Sequence, residues 1–238
     1  MIKRIISRAI CLMVSAILMI GVCGCMNASN NYPKFTIEEI IQYMSEKYGE
    51  EFTYINDIDG TQPNEYSYSI YLKAESYPEK KILAECRVAD TEGVKSFSDN
   101  YDAIIYEDDV RNILTSMVNG VYPNAKVRYI VEPLISSSYV EEETKSVEEF
   151  FARNPMVSFN VLMEPGHDIT KKEEEIQRLC DCLIEAKIPC SFTVRYSDDK
   201  NAFENFKVNE YEPFSQKVDA FGSVKINSDY TISYIEWR

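Results

Sequence analysis

Three observations place this chain in the α+β class, with antiparallel or mixed sheets and packed helices. Apolar stripes of helical period stand behind Ser/Thr-x-x-Glu capping boxes at Thr36, Ser146 and Thr170. Runs of alternating period follow one another with no helix between them, the pattern of a meander and not of a doubly wound sheet. Only the stretch 157–196 has a strand-helix-strand order.

Phe35-Thr36-x-x-Glu39-Ile40 is a capping box with a hydrophobic staple, in which Thr36 caps, Glu39 reaches back and Phe35 packs on Ile40. Ile37, Ile40, Ile41 and Met44 continue the helical stripe, and Gly49 supplies the stop. The period then changes to two. Phe52 to Ile55 is a short strand; Tyr66, Tyr68, Ile70 and Leu72 alternate with Ser67, Ser69, Tyr71 and Lys73; Ile82, Ala84, Cys86 and Val88 share one face of a third strand. Together they predict an antiparallel meander on the first helix.

A helix follows from Tyr106 to Asn119, with Val110, Ile113, Leu114, Met117 and Val118 buried and Gly120 and Pro123 ending it. Tyr101 to Ile105 fits either its first turns or a strand. Val127, Tyr129 and Val131 alternate as a strand. A short helix starts at Ser146-x-x-Glu149 and closes at Pro155, and Val157 to Met163 is a strand leading into the loop Glu164-Pro165-Gly166-His167-Asp168. Thr170-x-x-Glu173 opens a helix to Ala186 with the stripe Ile176, Leu179, Cys180 and Leu183, and Cys190 to Tyr196 is the returning strand. A loop from Ser197 to Gln216 precedes a hairpin, Val218 to Ile226 and Tyr230 to Trp237, turned at Asn227-Ser228-Asp229.

The serine-rich, acidic segment 136–145 is the natural boundary between two small subdomains, 33–135 and 146–238. Residues 25–32 form a polar tether, and residues 1–24 have the layout of a secretory signal. Lys3, Arg4 and Arg8 precede an uncharged apolar run from Ala9 to Val22. That run is about 14 residues long, whereas a helix crossing the ~30 Å hydrocarbon core needs about 20.

Val22-Cys23-Gly24-Cys25 resembles the lipobox of bacterial lipoproteins, where an aliphatic residue, a small residue and Gly or Ala precede a cysteine. The resemblance implies that the Cys25 thiol receives a diacylglyceryl group, that cleavage falls between Gly24 and Cys25, and that fatty acyl chains such as palmitate hold the new N-terminus in the membrane on its extracytoplasmic face. Two chains at about 0.8 kcal/mol per buried methylene make a stable anchor. Cys23 is small but not the commonest residue at its position, and the competing reading is a plain signal peptide in which Cys25 is incidental. Separately, Tyr43-Met44-x-x-Lys47-Tyr48-Gly49-Glu50-Glu51-Phe52 resembles the helix-to-strand corner of uncharacterised small lipoproteins of Gram-positive bacteria, a likeness that implies no activity.

Without residues 1–24, 214 residues remain, enough for one large domain or two small ones. The segment removed carries three of the 25 basic residues and none of the 39 acids, so the rest has a formal charge of −17. Such a field disfavours nucleic acid and electrostatic docking on anionic lipid. Cys11 and Cys23 leave with the signal and Cys25 is acylated, so Cys86, Cys180, Cys182 and Cys190 remain, either as disulfides in one of three connectivities or as small buried thiols. Cys180-x-Cys182 lacks the spacing of a redox or zinc pair, so no metal and no cofactor is expected.

The single histidine lies in His167-Asp168, and a His beside a carboxylate has the makings of a general base. No G-x-S-x-G elbow, no H-E-x-x-H and no glycine-rich phosphate loop accompanies it, so no catalytic residue is assigned. After Pro165-Gly166 and before a helix, Asp168 reads more simply as a turn residue and His167 as an exposed loop residue. Asp57-x-Asp59-Gly60 is an Asx-rich turn: aligned as a calcium loop it would put Ile55 and Tyr66 where carboxylates are required. Glu107-Asp108-Asp109 suits a helix N-terminus and Glu141-Glu142-Glu143 a solvated link. Among 17 tyrosines, Tyr66, Tyr68 and Tyr71 lie on strands where an exposed face would serve contacts with peptides, glycans or proteins, although tyrosine also favours half-buried strands.

These observations predict a lipid-anchored, extracytoplasmic α+β protein of the cell envelope that works as a binding or interaction module, its membrane contact made through Cys25 and its partner an envelope protein, peptide or glycan. The alternative is an envelope hydrolase using His167 with a carboxylate. A third reading, a solute-binding lipoprotein, requires two similar lobes around a ligand cleft.

Overall fold

A computed structural model describes residues 35–58, 67–88, 94–131, 143–153, 156–208 and 220–238. The signal and tether, Asp59, Gly60 and Tyr66, most of the acidic link and Pro155 lie outside the described residues. The architecture is α+β, with a four-stranded and a five-stranded sheet, the strands of each lying side by side in the order of the sequence. Among the described residues no helix is long and apolar enough to cross a membrane.

Helix α1 (Ile37–Tyr48) is built as its sequence dictates. Glu39 donates its N–H to Thr36 Oγ1 at 3.2 Å, and Thr36 donates its own to Glu39 Oε2 at 3.1 Å. Gly49 ends the helix at φ 72°, a left-handed cap that favours glycine, with its N–H on the Ser45 carbonyl. Ile40 and Met44 face a core shared with β1 (Phe52–Asp57), β2 (Ser67–Ala74) and β3 (Ile82–Val88). The predicted meander is present and antiparallel throughout. It gains an edge strand that periodicity does not announce, β4 (Lys95–Asp99), in register with β3 from Ala84↔Asp99 to Val88↔Lys95. Tyr68, whose strand position fitted either an exposed contact face or a half-buried strand, is buried, and its hydroxyl donates to Asp57 Oδ1 at 2.8 Å.

β4 delivers Asp99 into a buried polar knot. Its carboxylate meets Lys47 Nζ at 2.9 Å, the Tyr48 hydroxyl at 2.7 Å and the Tyr101 N–H at 2.9 Å. Both ionic side chains are almost fully enclosed, Lys47 at 5% and Asp99 at 1% exposure. Burial, with the charges of Asp99 and Asp102 added, drives the Tyr48 phenol far above its ordinary range.

Tyr101–Ile105 resolves as helix α2, and α3 (Glu107–Val121) continues it with hydrogen bonds running unbroken through Tyr106. Tyr101 and Ile104 belong to the first core, whereas Val110, Leu114, Val118 and Val121 belong to a second. On α2, Asp102 accepts from Thr144 Oγ1 at 2.5 Å, and its other oxygen is enclosed beside Tyr48. Burial, reinforced by the charge of Asp99, raises the Asp102 carboxyl above the usual carboxylate range. The folded state therefore binds more protons than the unfolded one between the two pKa values, and stability falls as pH rises through that window. Asp102→Asn is expected to raise the melting midpoint at neutral pH and flatten its fall with rising pH; melting curves from about pH 4 to about pH 8 check this.

The second core lies between helices α3 and α5 (Lys172–Glu185) and the sheet of β5 (Lys126–Ile130), β6 (Val157–Leu162), β7 (Cys190–Tyr196), β8 (Ala220–Ile226) and β9 (Ile232–Trp237). Short α4 (Val147–Arg153) adds Phe150 and Phe151, and Ser146 caps it by accepting from Glu149 N–H. Only β6 and β7 run parallel, joined through α5. The expected capping box at Thr170 does not form. Asp168 accepts from the Thr170 N–H and hydroxyl instead, starting a 3-10 turn at Ile169–Lys171 that leads into α5. Cys86, Cys180, Cys182 and Cys190 are free thiols; all but Cys182 are buried, and burial pushes Cys86 and Cys180 up to about 12.

The opposite face of this sheet carries Lys126 and Arg128 on β5. Residues 197–208, expected to be loop, contain helix α6 (Lys200–Glu204), capped by Asp199. Lys126 donates to the Phe203 carbonyl, and Arg128 Nε donates to the Lys207 carbonyl at 2.7 Å with its guanidinium 4.3 Å from the Phe206 ring centre. These contacts strap the segment across β5.

Candidate functional site

Three elements converge at the end of the second sheet: the loop after β6, the first turn of α5 and the end of β7. Gly166, at φ 86°, lets the loop turn sharply, and its N–H is held by Asp198 Oδ1 at 3.1 Å. His167 is thereby directed inward, and its side chain is only 17% exposed, not the free loop residue its sequence context implies. Its Nε2 lies 2.9 Å from Glu175 Oε2. Below it are two tyrosine rings, Tyr122 and Tyr196, each with its centroid 5.9 Å from the imidazole.

The pair has a definite electrostatic meaning. The Glu175 carboxylate accepts from Nε2–H and so fixes the orientation of the imidazole ring. Glu175 stands on the buried flank of α5, four residues before Leu179, which explains why one member of the run Glu173-Glu174-Glu175 is buried. Beneath, the Tyr122 and Tyr196 hydroxyls are enclosed against each other. Desolvation pushes Tyr196 up to about 12 and Tyr122 further still, so both phenols stay protonated.

Two openings that share Glu164, Gly166 and His167 in their walls adjoin the pair. A recess of about 80 Å³ is lined by Glu164, His167, Tyr196, Ser197 and Asp198 among others. A shallower cleft of about 340 Å³ is flanked by Glu164, His167, Asp168, Lys171 and Glu175. Asp168 behaves as the turn residue its position implies. Its carboxyl is held below the usual range by the Thr170 hydroxyl and N–H. Among the described residues no three His, Cys, Asp or Glu side chains form a group that would hold a metal ion. Gly24 and Cys25 lie outside the described residues.

No protein-family profile matches the chain, and no curated protein does. Among solved structures it is distantly similar to the crystal structure of a DUF5037 family protein from Ruminococcus gnavus, at 13% identity over 83% of this chain and 94% of that one, with a TM-score of 0.41. That likeness is too weak to carry an argument about the site.

Of the residues brought together here, sequence reasoning singled out His167 and Asp168 and missed Glu175, Tyr122 and Tyr196. The spacing of Glu175 from Leu179 was the available signal for the first. Nothing local marks the tyrosines, which meet His167 only through the packing of α3 and β7 against α5.

Proposed function

We propose that the chain is a lipid-anchored protein of the extracytoplasmic membrane face that works as a binding module, with the cleft at His167 as its ligand site. The observation that carries the binding reading is the His167–Glu175 pair, 2.9 Å apart, in the wall of the cleft of about 340 Å³. Location rests on the lipobox-like Val22-Cys23-Gly24-Cys25. A negative charge of this size gives little electrostatic attraction to anionic lipid, so acyl chains on Cys25 would supply the membrane contact. The partner is an envelope peptide, glycan, protein or small molecule, and no nucleic acid.

Cys25→Ala is expected to move the protein from the membrane fraction to the soluble fraction after cell lysis, with loss of label from a radioactive fatty acid. Unchanged membrane retention would overturn the anchor.

A second reading, an envelope hydrolase, is favoured by one observation: Glu175 orients His167 as a carboxylate orients a general base. In that case His167 would take a proton from water as it attacks an ester or amide carbon. Turnover of ester or peptide probes that vanishes in His167→Ala would select it.

A further inference from the structure

The polar knot at the end of β4 has the parts of a reaction site as well as those of an ion pair. Lys47 Nζ lies 2.9 Å from Asp99 Oδ2, and the two side chains are 5% and 1% exposed. Each is carried on a regular element, Lys47 in the last turn of α1 and Asp99 at the end of β4. Around them stand Tyr43, Tyr48 and Tyr101, with Phe97 stacked on Tyr43 at 4.9 Å. An amine and a carboxyl held in contact away from water are the two halves of an amide. Fixing reactants in this way is worth an effective concentration of about 10⁵ M or more, and replacing two enclosed charges by one neutral group removes the cost of keeping them from water.

The two oxygens of Asp99 are held differently. Oδ1 accepts from the Tyr48 hydroxyl at 2.7 Å and from the Tyr101 N–H at 2.9 Å, two donors placed where negative charge develops if Cγ becomes tetrahedral. Oδ2 faces the ammonium, with the Tyr43 hydroxyl 3.4 Å away, and is the oxygen placed to leave. A third carboxyl completes the set. Asp102 is enclosed beside Tyr48 and feels the charges of both Lys47 and Asp99, and its burial keeps it protonated to higher pH than an ordinary carboxyl. It is an acid within the knot that can give one proton and take another.

We propose that Lys47 and Asp99 condense to an intramolecular amide, a covalent cross-link between α1 and β4. Lys47 passes one ammonium proton to Oδ2 across their hydrogen bond, and the freed Nζ lone pair attacks Cγ as the carbonyl π pair moves onto Oδ1. Asp102 gives its proton to Oδ2 and takes a second one from nitrogen. The Cγ–Oδ2 bond breaks, the carbonyl reforms at Oδ1, and Oδ2 departs as water. Asp102 ends as it began, and no oxidant or co-reactant is consumed. The ion pair is the state of the chain before closing. The new bond joins positions 52 residues apart, so β1, β2 and β3 lie inside a closed ring that restricts the unfolded chain.

The test uses the full chain recovered from inclusion bodies in urea, where it has not folded, and then refolded in detergent. Its intact mass is expected to fall by one water molecule with time, and trypsin to release a branched peptide in which Lys47 is joined to Asp99 of the fragment 96–111. Lys47→Arg keeps the charge but offers no attacking amine, and is expected to hold its full mass. Asp102→Asn is expected to close about a hundredfold more slowly, the scale of general acid–base catalysis, and to reach the same product, with Asp102→Glu recovering part of the rate. An unchanged rate in Asp102→Asn would overturn the role given to Asp102. The same digest of wild-type protein extracted from membranes covers incomplete refolding. Full mass and no branched peptide by both routes overturns the cross-link and leaves Lys47 and Asp99 as an ion pair alone.

Discussion

Lys47→Ala is expected to cost about 3–5 kcal/mol of folding stability, the scale for removing one partner of a buried ion pair. The reason is the environment of Asp99, enclosed with Lys47 and surrounded by Tyr43, Tyr48 and Tyr101. Without the ammonium, a carboxylate is left in a nearly waterless pocket, and the Tyr48 hydroxyl and Tyr101 amide cannot replace a full positive charge. The ammonium also lies 4.8 Å from the Tyr48 ring centre, a cation-π interaction that the same substitution removes. Urea unfolding should show the midpoint falling by more than about 1 M with little change in slope. The double replacement Lys47→Met with Asp99→Asn removes both charges and is expected to recover most of the loss. A double variant as unstable as Lys47→Ala would refute the electrostatic account.

Phe159→Ala is expected to cost about 3–5 kcal/mol, the range for deleting a buried aromatic side chain. Phe159 is 1% exposed and stacks on Phe192 across the parallel β6–β7 pair, centroids 4.9 Å apart and planes inclined by 11°. Its removal opens a cavity at the centre of the second core, where α3, α5 and the sheet meet. Phe159→Leu keeps most of the volume and is expected to cost clearly less. Equal losses for the two would mean that ring stacking, and not filled volume, stabilises the pair. Calorimetric melting of the three proteins measures the difference.

What could be read from the chain and what could not divides along local and non-local physics. Helix α1 was legible to its ends because its capping box and its glycine stop are interactions within a few residues. The meander and the terminal hairpin were legible because alternation survives wherever one sheet face is buried. β4 was not: Lys95-Ser96-Phe97-Ser98-Asp99 has one apolar residue and weak strand preference, and pairing with β3 makes it a strand. α6 was hidden for a similar reason, since five residues capped by Asp199 are held down by Lys126 and Arg128 from a distant strand. At Thr170 the local signal was real but lost to Asp168, two residues earlier. At the candidate site, His167 drew notice as the sole histidine, but its burial could be learned only from the turn at Gly166 and from Glu175 eight residues on.

The helical run 101–121 has a consequence for any attempt to dissect the molecule. Its first turns, through Tyr101 and Ile104, close the core of the four-stranded sheet, and its remainder, through Val110, Leu114 and Val118, closes that of the five-stranded sheet. Val131, just after β5, also touches both. A cut that leaves this helix with the first sheet strips the second of its lid, and a cut before it strips the first. Fragments carrying one sheet each would therefore expose a bare apolar stripe, whichever side kept the helix, and would be expected to associate with one another or aggregate instead of standing alone.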